Sequence, residues 1–93
     1  KGGVFLPRTR IERLEDLWFV GNLEDHAAPG KVFAVRGTTG QVEWDRVVPG
    51  LEAITMHKHK VIAAAYGASK TKRHLTALDA RTGRLLWRTG LEG

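Results

Sequence analysis

An internal repeat constrains this chain more than any other feature of its sequence. Residues 31–50 align with residues 74–93 at an offset of 43, which places Ala34 on Ala77, Thr39 on Thr82, Gly40 on Gly83, Trp44 on Trp87 and Gly50 on Gly93. The apolar pattern repeats with the identities: Val32, Val35, Val42 and Val48 fall on Leu75, Leu78, Leu85 and Leu91. A chain of 93 residues therefore holds two copies of one supersecondary unit. Units of this size bury their apolar faces against one another rather than alone.

The local period identifies the unit. In each copy a short run of alternating apolar residues, Val32-Phe33-Ala34-Val35 or Leu75-Thr76-Ala77-Leu78, meets a Thr-Gly pair and then a second run. Glycine takes a positive φ without steric cost and threonine bonds nearby backbone, so Thr39-Gly40 and Thr82-Gly83 read as hairpin tips. A further pair of runs lies upstream in each copy. The expected fold is all-β: strands at about 11–14, 17–21, 31–36 and 41–47 in a first unit spanning 4–49, and at about 52–57, 60–66, 74–79 and 84–89 in a second spanning 50–93. One segment competes. Thr9 with Glu12 spells a capping box, and Ile11, Leu14 and Trp18 have helical spacing. The strand reading is preferred because Leu17-Trp18-Phe19-Val20 is bulky and β-prone.

Composition removes several function classes. Val, Ile, Leu and Phe make up about a quarter of the chain, enough to expect folding. No apolar run approaches the roughly 18 to 20 residues of a membrane-spanning helix, so membrane insertion is not expected. Without cysteine there is no thiolate catalysis and no cysteine metal site. The net charge of +5 lies entirely beyond Gly50, concentrated in His57-Lys58-His59-Lys60 and Lys70-Thr71-Lys72-Arg73-His74. These stretches read as a solvated hairpin tip and loop, with no specific nucleic-acid binding expected.

Four strands in about 43 residues, with a tryptophan near the end of the last strand, are the pattern of a propeller blade. The segment from Ala77 to Trp87, ALDARTGRLLW, resembles the tryptophan-docking motif of the PQQ-like (pyrroloquinoline-quinone-type) β-propeller repeat, with its Ala, Asp, Thr-Gly and Trp positions. The segment from Ala34 to Trp44, AVRGTTGQVEW, is a second copy with Arg36 where that repeat has aspartate. The resemblance implies two four-stranded antiparallel blades of a PQQ-like propeller. It also implies that Ala34, Thr39, Gly40, Trp44, Ala77, Asp79, Thr82, Gly83 and Trp87 form a structural docking motif between blades. An indole offers large apolar area and one N–H, the alanines leave room for it, and Asp79 accepts hydrogen bonds around the Thr82-Gly83 turn. Arg36 cannot do so. As a buried aromatic, Trp87 truncated to alanine is expected to cost about 3 to 5 kcal/mol.

Candidates for chemistry are few. His57 and His59 suit chelation if both lie on one strand, but a zinc site wants a third ligand, and Lys58 and Lys60 repel a cation. Ser69, the one serine, stands beside Lys70 without a base and an orienting group. Enzymes of the resembled family, the quinoprotein dehydrogenases, hold the quinone above calcium on the ring axis against a tryptophan floor. That implies an Asp base and Glu or Asn calcium ligands drawn from several blades, and no residue here is assigned to them. Trp18 reads as core. No catalytic, cofactor or metal residue is expected.

The leading expectation is a non-enzymatic scaffold or binding module without a cofactor. The alternative is a segment of a dehydrogenase with quinone and calcium. Two blades leave apolar flanks, so the partners expected are further blades, in cis within a propeller of about six to eight or as about three or four identical copies. Glu24, Asp25, Lys70, Lys72 and Arg73 fall in two loops expected to emerge on one face, a candidate partner surface. Relatives with this repeat imply a periplasmic or other extracytoplasmic setting.

Overall fold

The computed structural model describes residues 9–23, 29–66 and 72–91. Eight strands follow in chain order: β1 (Thr9–Leu14), β2 (Leu17–Asn22), β3 (Lys31–Arg36), β4 (Val42–Val47), β5 (Leu51–His57), β6 (Lys60–Tyr66), β7 (Arg73–Asp79) and β8 (Leu85–Leu91). They form two antiparallel meanders, β1-β2-β3-β4 and β5-β6-β7-β8. No helix occurs among the described residues. The segment that spells a capping box is β1, because the ladder Ile11↔Val20, Glu12↔Phe19, Arg13↔Trp18 pairs it with β-prone partners. That ladder carries β1 back to Thr9, beyond the expected start near residue 11.

The repeat holds in backbone detail. The first hairpin of each sheet turns through a residue with positive φ, Glu15 at 54° and Lys58 at 58°. Each third-to-fourth-strand ladder slips at the same place, between Ala34 and Val35 and between Ala77 and Leu78. A bulge there increases the local twist.

Burial is where the two copies part. Phe19 and Val32 are fully buried, while their counterparts Ile62 and Leu75 are half-buried. Conversely Val61 and Leu78 are fully buried, while their counterparts are Trp18, 39% exposed, and Val35, half-buried. Each sheet thus turns a different face inward, and the two stack like successive members of a series rather than as mirror-related halves. The core lies between them: Leu17, Phe19, Val32 and Ala34 from the first sheet meet Leu51, Ile54, Val61, Ala63, Ala65 and Leu78 from the second. Gly21 of β2 is pressed against Ile54 and Leu51 of β5, so the sheets approach closely along that line. At roughly 25 cal/mol per Å² of apolar surface removed from water, this shared layer is the main stabilising contribution.

Candidate functional site

The two Thr-Gly turns are near copies. In each, the glycine N–H closes onto the carbonyl of the residue four positions earlier, Gly40 onto Arg36 and Gly83 onto Asp79, both at 2.7 Å. The threonine hydroxyl accepts from the backbone two residues on, Gln41 N to Thr39 Oγ1 and Arg84 N to Thr82 Oγ1, both at 3.2 Å. The turn is tied to its neighbouring hairpin by Gly37 N donating to the Asp16 carbonyl at 2.7 Å and Ala80 N donating to the His59 carbonyl at 2.9 Å. Gly40 and Gly83 have φ of 75° and 76°, a region that side-chain-bearing residues rarely enter.

The side chain at the third motif position separates the copies. Asp79 Oδ1 accepts from Arg81 N at 2.9 Å and from Thr82 N at 3.2 Å. These bonds, the one from Arg81 foremost, hold its carboxyl below the usual carboxylate range. Arg36 instead reaches Glu43 at 3.1 Å and Asp16 at 3.6 Å, and Thr38 Oγ1 donates to Asp16 at 3.0 Å. The first turn is therefore held by ionic side chains at the surface, the second by carboxylate-to-backbone bonds.

Trp44 crosses from the first sheet to the second. Its Nε1 donates to the Ala80 carbonyl at 3.0 Å, and its ring lies tilted against Phe19 with centroids 6.0 Å apart. Gly83 sits directly beneath the indole: a Cβ there would fall 2.5 Å from Cδ2 and 2.7 Å from Cε3. Glu15 and Arg81 bridge the same boundary at 2.9 Å, and that hydrogen bond and charge lower the Glu15 pKa. The counterparts of this assembly lie on the outer flanks. Trp87 is 41% exposed on the far side of the second sheet, opposite the buried Ala77. The burial expected for Trp87 is not found there; Trp44, at the same position of the first copy, is partly buried against the core. Gly40 has open space where Gly83 has an indole.

Ala80, Phe19 and Arg81 complete this contact and were not singled out from sequence. The signal for Ala80 lay in the repeat, since the position following Asp79 and Arg36 holds a small residue in both copies, Ala80 and Gly37.

The remaining candidates do not converge. His57 ends β5 while His59 lies in the turn after Lys58, so the two are not alternate residues of one strand, and both are exposed. Among the described residues no three or more His, Asp or Glu side chains gather to hold a metal ion, so they do not by themselves fit a calcium site. Trp18 is not in the core: it lies on the outer flank of the first sheet with the Arg13 guanidinium 5.4 Å from its ring. Of the candidate partner surface, Glu24, Asp25 and Lys70 lie outside the described residues, as does Ser69. Lys72 is exposed; Arg73 bonds the Tyr66 hydroxyl at 2.6 Å, covers its ring and pairs with Glu52 at 3.5 Å. His74 Nε2 accepts from the Arg88 guanidinium at 3.1 Å, and burial, then the Arg88 charge, lowers its pKa. No helix among the described residues is long and apolar enough to cross a membrane.

No protein-family model and no curated protein sequence matches the chain. Among solved structures it resembles a europium-containing methanol dehydrogenase, with a TM-score of 0.69 at 19% identity over 90% of this chain. The chain spans 15% of that protein's length. At this identity the likeness shows the fold alone: two four-stranded antiparallel blades of a PQQ-like β-propeller.

Proposed function

We propose that the chain is a non-enzymatic scaffold or binding module built from PQQ-like propeller blades and completed by further blades, in an extracytoplasmic, periplasmic setting. The observation that carries this reading is the use made of the polar groups. Asp79, Asp16, Glu43, Glu15 and Arg81 are all engaged in holding turns or joining blades, and the Trp44 N–H is spent on the Ala80 carbonyl. In this reading the nine docking-motif residues are structural, the exposed Lys72 belongs to a protein-partner rim, and no quinone or metal is required.

The fold likeness to a methanol dehydrogenase supports a second reading, a segment of a quinoprotein dehydrogenase whose quinone and calcium sites draw on several blades. Equilibrium dialysis of the chain against pyrroloquinoline quinone, with and without calcium, tests the choice. The scaffold reading expects no saturable uptake; saturable, calcium-dependent uptake at one site per chain or per assembly overturns it in favour of the dehydrogenase.

A further inference from the structure

The contact between the two blades is heterologous: an indole and its N–H on one side, a bare glycine and a carbonyl on the other. Each of its halves is repeated, unpartnered, on an outer flank. On the second blade, Trp87 stands 41% exposed with the half-buried Ile62 and Leu75 and the 42% exposed Leu91 on the same face. On the first blade, Gly40 is open, and the carbonyl of Gly37, the counterpart of Ala80, accepts no hydrogen bond among the described residues. Around it lie Trp18, 39% exposed, Ile11, 45%, and Val42, 50%. Gly37 is also the residue that admits the Trp18 indole, since a Cβ there would fall 2.7 Å from its Nε1.

We infer that these two flanks are the two sides of one interface, and that its occupant is a second copy of this chain, docked head to tail. Trp87 of one copy lies over Gly40 of the next and donates to the Gly37 carbonyl, as Trp44 lies over Gly83 and donates to Ala80. Charge also fits. The position of Glu15, which joins the blades through Arg81, is taken on the second blade by Lys58; the matching edge of the first blade carries Thr38 and the Asp16 carboxylate it bonds. A cation on the incoming copy meets the Asp16 carboxylate, which Arg36 also reaches at 3.6 Å, with the signs of the internal pair exchanged. Repetition of one heterologous contact forms a ring where its rotation closes, and a closed ring leaves no blade flank in water. This inference rests on the propeller-module reading but fails separately, because quinone uptake tests that reading and mass tests this one.

Light scattering on a sizing column measures the mass of the full chain over a wide concentration range. The expected result is one discrete multiple of 10.3 kDa that does not grow as concentration rises. Trp87→Ala removes the donor side. Gly40→Asn blocks the acceptor side with a residue that tolerates the left-handed region, in a place where nothing stands within 4 Å. Each variant alone should run as a folded monomer by circular dichroism and mass. Mixed, they retain one intact donor and one intact acceptor, and should form a one-to-one dimer and nothing larger. A monomeric wild type at every concentration overturns the proposal and leaves the flanks to other blades. So does unlimited growth, a wild-type mass in both variants, or a mixture that does not pair.

Discussion

The indole N–H of Trp44 donates to the carbonyl oxygen of Ala80 at 3.0 Å, across the boundary between two sheets that share no strand pairing. The bond fixes how far the last strand of the first blade leans over the turn of the second, and it does so where the Trp44 ring leaves no room for a Cβ on Gly83. Both blades hold a tryptophan at this position; Trp44 finds a neighbouring blade, and Trp87 finds none among the described residues.

Trp44 and Trp87 should therefore respond differently to truncation. Trp44→Ala removes a ring packed on Phe19 and Gly83 and orphans the Ala80 carbonyl, and should cost about 3 to 5 kcal/mol in urea unfolding. Trp87→Ala, measured at a concentration low enough to keep the chain monomeric, should cost under about 1.5 kcal/mol because the ring is 41% exposed. Equal losses would show that the two indoles are equally buried in solution.

The two turn glycines offer a matched pair. In the Trp87→Ala background, Gly40→Ala meets only the left-handed backbone penalty, about 1 to 2 kcal/mol, since no atom stands within 4 Å. Gly83→Ala adds to that penalty a methyl driven into the Trp44 ring, a further loss of about 1 to 3 kcal/mol. The difference between the variants' urea midpoints reads the tightness of the inter-blade contact. Identical midpoints would place the Trp44 ring elsewhere.

His74 makes stability depend on mild acid. Burial and then Arg88 depress its folded-state pKa below the ordinary 6.5, so between that value and the lower folded one the unfolded chain binds more protons. Stability should rise with pH through this window and fall as pH drops below about 6.5. Replacing His74 with glutamine, which has no titrating proton, should flatten the melting temperature between pH 5 and 7, about where free histidine titrates. An unaltered slope would move the titrating group to another residue.

Asp79 acts at lower pH with the same sign by a different cause. Its folded pKa lies below the ordinary 3.8 because Arg81 N, then Thr82 N, bond the carboxylate. The stabilisation is present above that ordinary value and is lost as pH falls through the folded one. Asp79→Ala should cost about 1 kcal/mol at neutral pH, a modest figure for a surface turn, and the gap from wild type should close in strong acid. Chemical unfolding at several pH values checks this, and a gap that persists undiminished in strong acid would show that the Asp79 carboxylate is not what holds the turn.

The 43-residue offset made the sheet count, the strand order and the two Thr-Gly tips readable from the letters, because period, turn residues and β-branched runs act locally. The same offset concealed which face each blade buries. Phe19 and Ile62, or Trp18 and Val61, occupy the same position in the repeat and opposite positions with respect to the core, a difference set by which side has a neighbour. Trp87 has the sequence context of a buried indole and the exposure of a surface one for that reason, and Trp18 has the context of a core strand while standing on an outer flank. Alternate readings of residues 10–18 were settled by pairing with β2, which no local pattern contains. The sequence by itself determined the blades; the stacking of one on the next decided the role of each tryptophan, since burial is a property of the space between elements and not of the residues that face it.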